Sequence, residues 1–222
     1  MQDRNSYNIQ PAIMADEWET LISQIEEVIS FAKQIQIDVM DGKLVQPTSF
    51  PYNETTLEGK QLPEGIEFEA HLMVENPREV GLSFIRAGAK RIVAQIEGMD
   101  DVEETFIQWG EVGVKTGVSI LLSTPIESIY PLIDEEIVSS VQIMTIDRIG
   151  YQGEEFNESS LKRISDLRAK YPDLLITVDG GVNAQNIVKL RESGADLFGV
   201  GSAIMKEEDK QRAFSQLSNA IE

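Results

Sequence analysis

The chain has 222 residues, 41% of them hydrophobic, so it can bury a substantial core, and it has no cysteine, which excludes disulfides and thiolate metal sites. Its 38 acidic side chains outnumber 19 basic ones, and the formal charge of -19 opposes nucleic acid and anionic membrane surfaces as partners. No apolar run approaches the roughly 20 residues of a membrane span and the start carries no secretory leader, so one cytoplasmic domain over residues 1–222 is expected.

The first predicted strand covers residues 7–13 (YNIQPAI), followed by helical spacing in ADEWETLISQIEEVISFAKQ. In the second, residues 34–40, Ile35, Ile37 and Val39 alternate with Gln36, Asp38 and Met40, so a polar set shares one face of a strand that otherwise reads as buried. Strands follow at 67–73 (EFEAHLM), 91–97, 116–122, 138–146, 174–179 and 197–201. Helical segments between them include NPREVGLSFIRAG, NESSLKRISDLRAKY and NAQNIVKLRESG. Gly88, Gly113 and Gly194 each sit where a helix should give way to a strand, as a positive-φ C-cap requires. Strict alternation of eight strands with helices predicts a (β/α)8 TIM barrel, with a doubly wound open sheet as the rival.

A barrel of this kind works at the C-terminal ends of its strands. Asp38 and Asp179, on the second and seventh strands, are placed to face each other across a bound substrate, and His71 lies on the strand next to Asp38, near enough to share a divalent ion. An inward carboxylate must be paired, hydrogen-bonded or metal-bound. The plain alternatives are a structural histidine, and space-filling for Met40, Met73 and Met144. Glycine-rich segments follow three consecutive strands: DRIGYQGEEF with Gly150 and Gly153, VDGGVNAQN with Gly180 and Gly181, and GVGSAI with Gly201 and Ser202. Backbone N–H groups in such turns suit a phosphate; tight βα turns without a ligand are the alternative.

Taken in order, IQPAIMAD, IDVMDGKLV, EAHLMVENP, STPIESI, GYQGEEF, VDGGVNAQNI and GADLFGVGSAI resemble the ribulose-phosphate 3-epimerase family from end to end. The resemblance implies a TIM barrel acting on a small phosphorylated sugar, a homo-oligomer, and an enediolate formed between two aspartates, Asp38 and Asp179. It also implies a divalent ion (manganese, magnesium, zinc, iron or cobalt) held by Asp38, His71 and Asp179, with Gln36 in a remaining ligand position. Met40, Met73 and Met144 match methionines that keep water from the reacting centre.

The chain departs from the family pattern at Gln36, where the motif has a metal-binding histidine, at Ala12 in place of serine, at Gln95 in place of histidine, and in the residues Asp147, Arg148 and Ile149 before Gly150. Glutamine offers a metal an oxygen but no imidazole nitrogen, which shifts preference from zinc toward harder ions. Gln36 and Gln95 are expected to bond each other or the substrate hydroxyls. The competing functions are a sugar-phosphate-binding barrel without catalysis, and a related isomerase such as a ketohexose-phosphate epimerase. A decarboxylase-type lyase is disfavoured because Met40, not lysine, stands two residues after Asp38.

Overall fold

A computed structural model describes residues 9–53 and 56–222. Eight parallel strands close into a barrel in chain order: β1 (Ile9–Ile13), β2 (Gln34–Met40), β3 (Glu67–Met73), β4 (Arg91–Gln95), β5 (Lys115–Ile120), β6 (Ser140–Met144), β7 (Leu175–Asp179) and β8 (Leu197–Val200). The helices around them are α1 (Trp18–Val28), α2 (Arg78–Arg86), α3 (Val102–Glu111), α4 (Tyr130–Asp134), α5 (Ser159–Lys170), α6 (Ile187–Glu192), α7 (Ser202–Met205) and α8 (Lys210–Ala220). The TIM barrel is thus as expected. Tyr7 and Asn8, included in the first predicted strand, lie outside the described residues.

Strict alternation fails in one place. Among the described residues, the connection from β2 to β3 contains no helix. Its sequence carries Pro47, Pro51 and Pro63, and Gly42, Gly59 and Gly65 all take positive φ, so no continuous run of intrahelical hydrogen bonds can form. Instead the segment folds back over the end of β2. Ser49 Oγ donates to the Asp38 carbonyl and accepts from the Met40 amide, each at 2.9 Å, and the Phe50 amide donates to the Ala15 carbonyl at 2.8 Å. Gly88, Gly113 and Gly194 turn helix into strand with φ of 110°, 85° and 108°.

Two-residue periodicity divides each strand between two environments. Ile35, Ile37 and Val39 of β2, Phe68 and Leu72 of β3, and Ile176 and Val178 of β7 join one apolar core with Leu21 and Ile25 of α1, Phe84 of α2 and Leu167 of α5. That core fills the layer between barrel and helices. The opposite faces meet inside the barrel, as side-chain bonds between strands that are not neighbours require: Gln10 on β1 reaches Glu69 on β3, and Gln36 on β2 reaches Asp179 on β7. Barrel interiors are usually filled by Val, Ile and Leu. Here Gln10, Gln36, Glu69, His71, Gln95, Ser119 and Gln142 are buried, with Asp38 and Asp179 above them. Several of these groups hydrogen-bond one another, while Gln10 Oε1, Gln95 Nε2 and Ser119 Oγ have no partner among the described residues.

Candidate active site

Strand register assembles the upper end of this column. Asp38 pairs with His71 across β2 and β3, Met40 pairs with Met73 one step higher, and Met144 pairs with Asp179 across β6 and β7. Asp38, His71 and Asp179 are all buried, and each offers a ligand atom within 4.8 Å of the others. His71 Nδ1 stands 3.3 Å from Asp38 Oδ1 and 3.2 Å from Asp179 Oδ2. Its other ring nitrogen lies 3.4 Å from Gln95 Oε1, which can only accept, so Nε2 carries hydrogen and Nδ1 is given to the two carboxylates.

Burial alone would push the His71 pKa down, but hydrogen bonding and charge from Asp179 and then Asp38 outweigh it and raise it to about 10. Asp38 is pushed above the ordinary carboxylate range, first by burial and then by the charge of Asp179. His71 and the Gln36 amide oppose that rise. Two carboxylates confined this closely cannot both ionise as freely as one alone.

Gln36 Nε2 stands 2.7 Å from Asp38 Oδ1 and 2.8 Å from Asp179 Oδ2, while its carbonyl oxygen turns away and accepts from Gln10 Nε2 at 2.8 Å. Gln36 does not bond Gln95 as expected. The two lie on β2 and β4, and His71 of β3 stands between them as the partner of Gln95. Gln142 adds a weaker contact, Nε2 to Asp179 Oδ2 at 3.5 Å. Gly199 makes room for the group: a Cβ there would lie 3.0 Å from Gln36 Oε1 and 3.2 Å from Asp179 Oδ1.

Above the carboxylates is a cavity lined by Ala12, Asp38, Met73, Met144, Ile146 and Asp179, and by the glycine-rich segments through Gly150, Gly153, Gly180, Gly181, Gly201 and Ser202. The expected site residues therefore gather at one end of the barrel, with three of them outside the cavity lining. Gln36 and His71 lie beneath the cavity, and Met40 sits beside it in an apolar cluster with Val45, Met73, Met144, Ile146 and Ile149. The residues before Gly150 brace their own loop. Asp147 accepts from Asn157 Nδ2 at 2.8 Å, the Arg148 guanidinium lies 4.1 Å from the Tyr151 ring centroid and pairs with Glu154, and Ile149 joins the methionine cluster.

Two carboxylates and an imidazole nitrogen, buried and converging, fit a divalent ion; Gln36 turns an N–H face toward the same point and supplies no lone pair as a fourth ligand. Among residues that sequence reasoning missed, Gln10, Glu69 and Arg91 support this group from below. The signal was available: Gln36 and Glu69 lie two positions before Asp38 and His71, on the same face of their strands.

The profile of the Ribulose-phosphate 3 epimerase family matches residues 8–205. A ribulose-phosphate 3-epimerase of Bacillus subtilis is 32% identical over 216 residues, covering 94% of this chain and 97% of that protein. A cytoplasmic isoform from Oryza sativa is 28% identical over 217 residues, covering 96% and 94%. A crystal structure of 3-hexulose-6-phosphate synthase superposes with a TM-score of 0.70 over 97% of this chain and 100% of that one; at 16% identity the likeness concerns the fold alone. No helix among the described residues is long and apolar enough to cross a membrane.

Proposed function

Since the chain belongs to the ribulose-phosphate 3-epimerase family and is an enzyme of the epimerase type, we propose that it interconverts D-ribulose 5-phosphate and D-xylulose 5-phosphate at C3. The observation that carries this reading is the meeting of Asp38 and Asp179, from non-adjacent strands, beneath a cavity whose far side is built of glycine turns. A sugar held by its phosphate at Gly181, Gly201 and Ser202 would present its chain to both carboxylates. Epimerisation needs a proton removed from one face of C3 and another delivered to the opposite face, and two opposed carboxyl groups meet that need in both directions.

Burial and the charge of Asp179 favour a proton on Asp38, so in one direction of turnover Asp38 is the acid and Asp179 is the base. Asp179 takes the C3 proton, the C–H electron pair forms the C2–C3 double bond, and the carbonyl oxygen takes up the negative charge. Asp38 then gives its proton to C3 from the other face, the carbonyl re-forms, and the two aspartates have exchanged protonation states. Return turnover restores them. A divalent ion bound by Asp38, His71 and Asp179 would supply positive charge at the developing oxygen anion. Met73 and Met144 roof the carboxylates with apolar surface, which strengthens the electrostatic interactions beneath and keeps stray water from the intermediate.

Retention of both carboxylates favours catalysis over passive binding, since a phosphosugar binder has no need of two buried acids. The test is product formation by purified protein supplied in turn with ribulose 5-phosphate and a six-carbon 2-ketose 6-phosphate. Xylulose 5-phosphate as the preferred product supports the proposal. Preference for the six-carbon substrate, or no turnover of either, rejects it.

A further inference from the structure

Beneath the carboxylates, a line of hydrogen bonds crosses the barrel from wall to centre. Arg91 Nη1 on β4 donates to Glu69 Oε2 on β3 at 3.0 Å. Gln10 Nε2 on β1 donates to Glu69 Oε1 and to Gln36 Oε1, each at 2.8 Å. Gln36 Nε2 donates to Asp38 and Asp179.

The polarity of this line is set at its outer end. A guanidinium has donors and no acceptor, and the carboxylate it pairs with has acceptors and no donor. Glu69 therefore demands an N–H from Gln10. Turning the Gln10 amide over would set its oxygen against the Glu69 carboxylate. The amide nitrogen has a second hydrogen, and the Gln36 carbonyl takes it. Once that carbonyl is engaged, the NH2 of Gln36 has one direction left, toward Asp38 and Asp179. The arrangement leaves buried Gln10 Oε1 with no partner among the described residues, a cost of the kind accepted only where the opposite orientation is worse.

We propose that Gln10, held by the Glu69–Arg91 ion pair, is a positioning residue that locks Gln36 as a hydrogen-bond donor to the Asp38–Asp179 pair and so withholds the Gln36 carbonyl from any bound metal. The inference rests on the acid/base reading of those two aspartates. An amide nitrogen has no lone pair to give a cation, so this group offers a metal three ligands among the described residues, and Gln36 instead spans two carboxylates that would otherwise face each other unbridged on that side. The histidine that the family motif places here would present a lone pair; Gln36 in this orientation presents protons.

The test reads metal binding without turnover: electron paramagnetic resonance of free Mn2+ titrated against the wild type, Gln10→Met, and the double variant Gln10→Met with Gln36→Met. Methionine keeps the length of glutamine and removes the donor. Release of the Gln36 carbonyl in Gln10→Met should tighten Mn2+ binding by about tenfold or more, and the double variant should lose that gain. A smaller gain, no change, or weaker binding in Gln10→Met overturns the proposal, as does a gain that survives in the double variant. Should Gln10→Met fail to fold, Gln36→Met alone decides: unchanged or tighter Mn2+ binding supports a donor role, and weaker binding marks Gln36 as a ligand. Because none of these titrations uses substrate, failure of the proposed epimerisation would be seen separately, in the product assay.

Discussion

Asp38 and Asp179 stand on β2 and β7, strands separated by β1 and β8, yet their carboxylate oxygens lie 2.7 Å and 2.8 Å from one Gln36 nitrogen. Opposed acid and base groups at this spacing are what proton exchange between two faces of a carbon requires. Each should be indispensable to epimerisation in both directions, because each serves as acid in one direction and base in the other. Asp38→Asn and Asp179→Asn are expected to lower kcat by about a thousandfold or more each. Circular dichroism that matches the wild type would show that the loss is chemical.

The second prediction concerns pH. His71 has its pKa raised from 6.5 to about 10 in the metal-free fold by the two carboxylates, against the effect of burial. A pKa raised in the folded state means that the protonated form is favoured by folding. Its stabilisation is therefore complete below about pH 6.5 and is lost as pH rises through about 10. Urea unfolding of metal-stripped protein should show the wild type losing stability over this window more steeply than His71→Gln, which isolates the histidine from the general repulsion of an acidic chain. Over the same window Mn2+ binding should strengthen with pH, because the ion must displace the proton on Nδ1.

A third prediction follows from the space at Gly199. An added Cβ would press on Gln36 Oε1 at 3.0 Å and on Asp179 Oδ1 at 3.2 Å, both on side chains able to shift. Gly199→Ala is thus expected to fold but to displace the groups that must be placed most accurately. Activity should drop by roughly tenfold to a hundredfold, with only a small change in thermal midpoint.

Gly81 offers the opposite case, a structural glycine far from the chemistry. It lies on α2 against Trp109 of α3, and a Cβ there would collide with the indole ring, which is fully buried and donates from Nε1 to the Arg78 carbonyl at 3.2 Å. Gly81→Ala should destabilise the protein by about 1–3 kcal/mol through overpacking. Its kcat at a temperature where it remains folded should be unchanged.

Most of the barrel was legible because its signals are local. The two-residue alternation in β2 and β3, and glycines at Gly88, Gly113 and Gly194, each report backbone geometry through neighbouring residues alone. The same alternation placed Asp38, His71 and Asp179 at one end of the barrel. The connection between β2 and β3, helix-free among the described residues, was concealed by the expectation of strict alternation, although its prolines and glycines argue against a helix.

What the sequence hid was the direction of hydrogen bonds. Gln36 reads as a carbonyl donor to a metal or as an N–H donor to a carboxylate, and nothing in its own neighbourhood chooses between them. The choice is made by Gln10, 26 residues earlier, and by Glu69, 33 residues later, which meet it only when the barrel closes. Gly199 was equally silent, since its value lies in the space it leaves for side chains from other strands.

The most direct test of the two-aspartate reaction is proton exchange at C3 of ribulose 5-phosphate in heavy water, followed by NMR with the wild-type protein. Deuterium entering at C3 in both the ribulose and xylulose 5-phosphates, abolished by Asp38→Asn and by Asp179→Asn, is the predicted result. Absence of deuterium at C3 in protein that is folded and binds the substrate would contradict it.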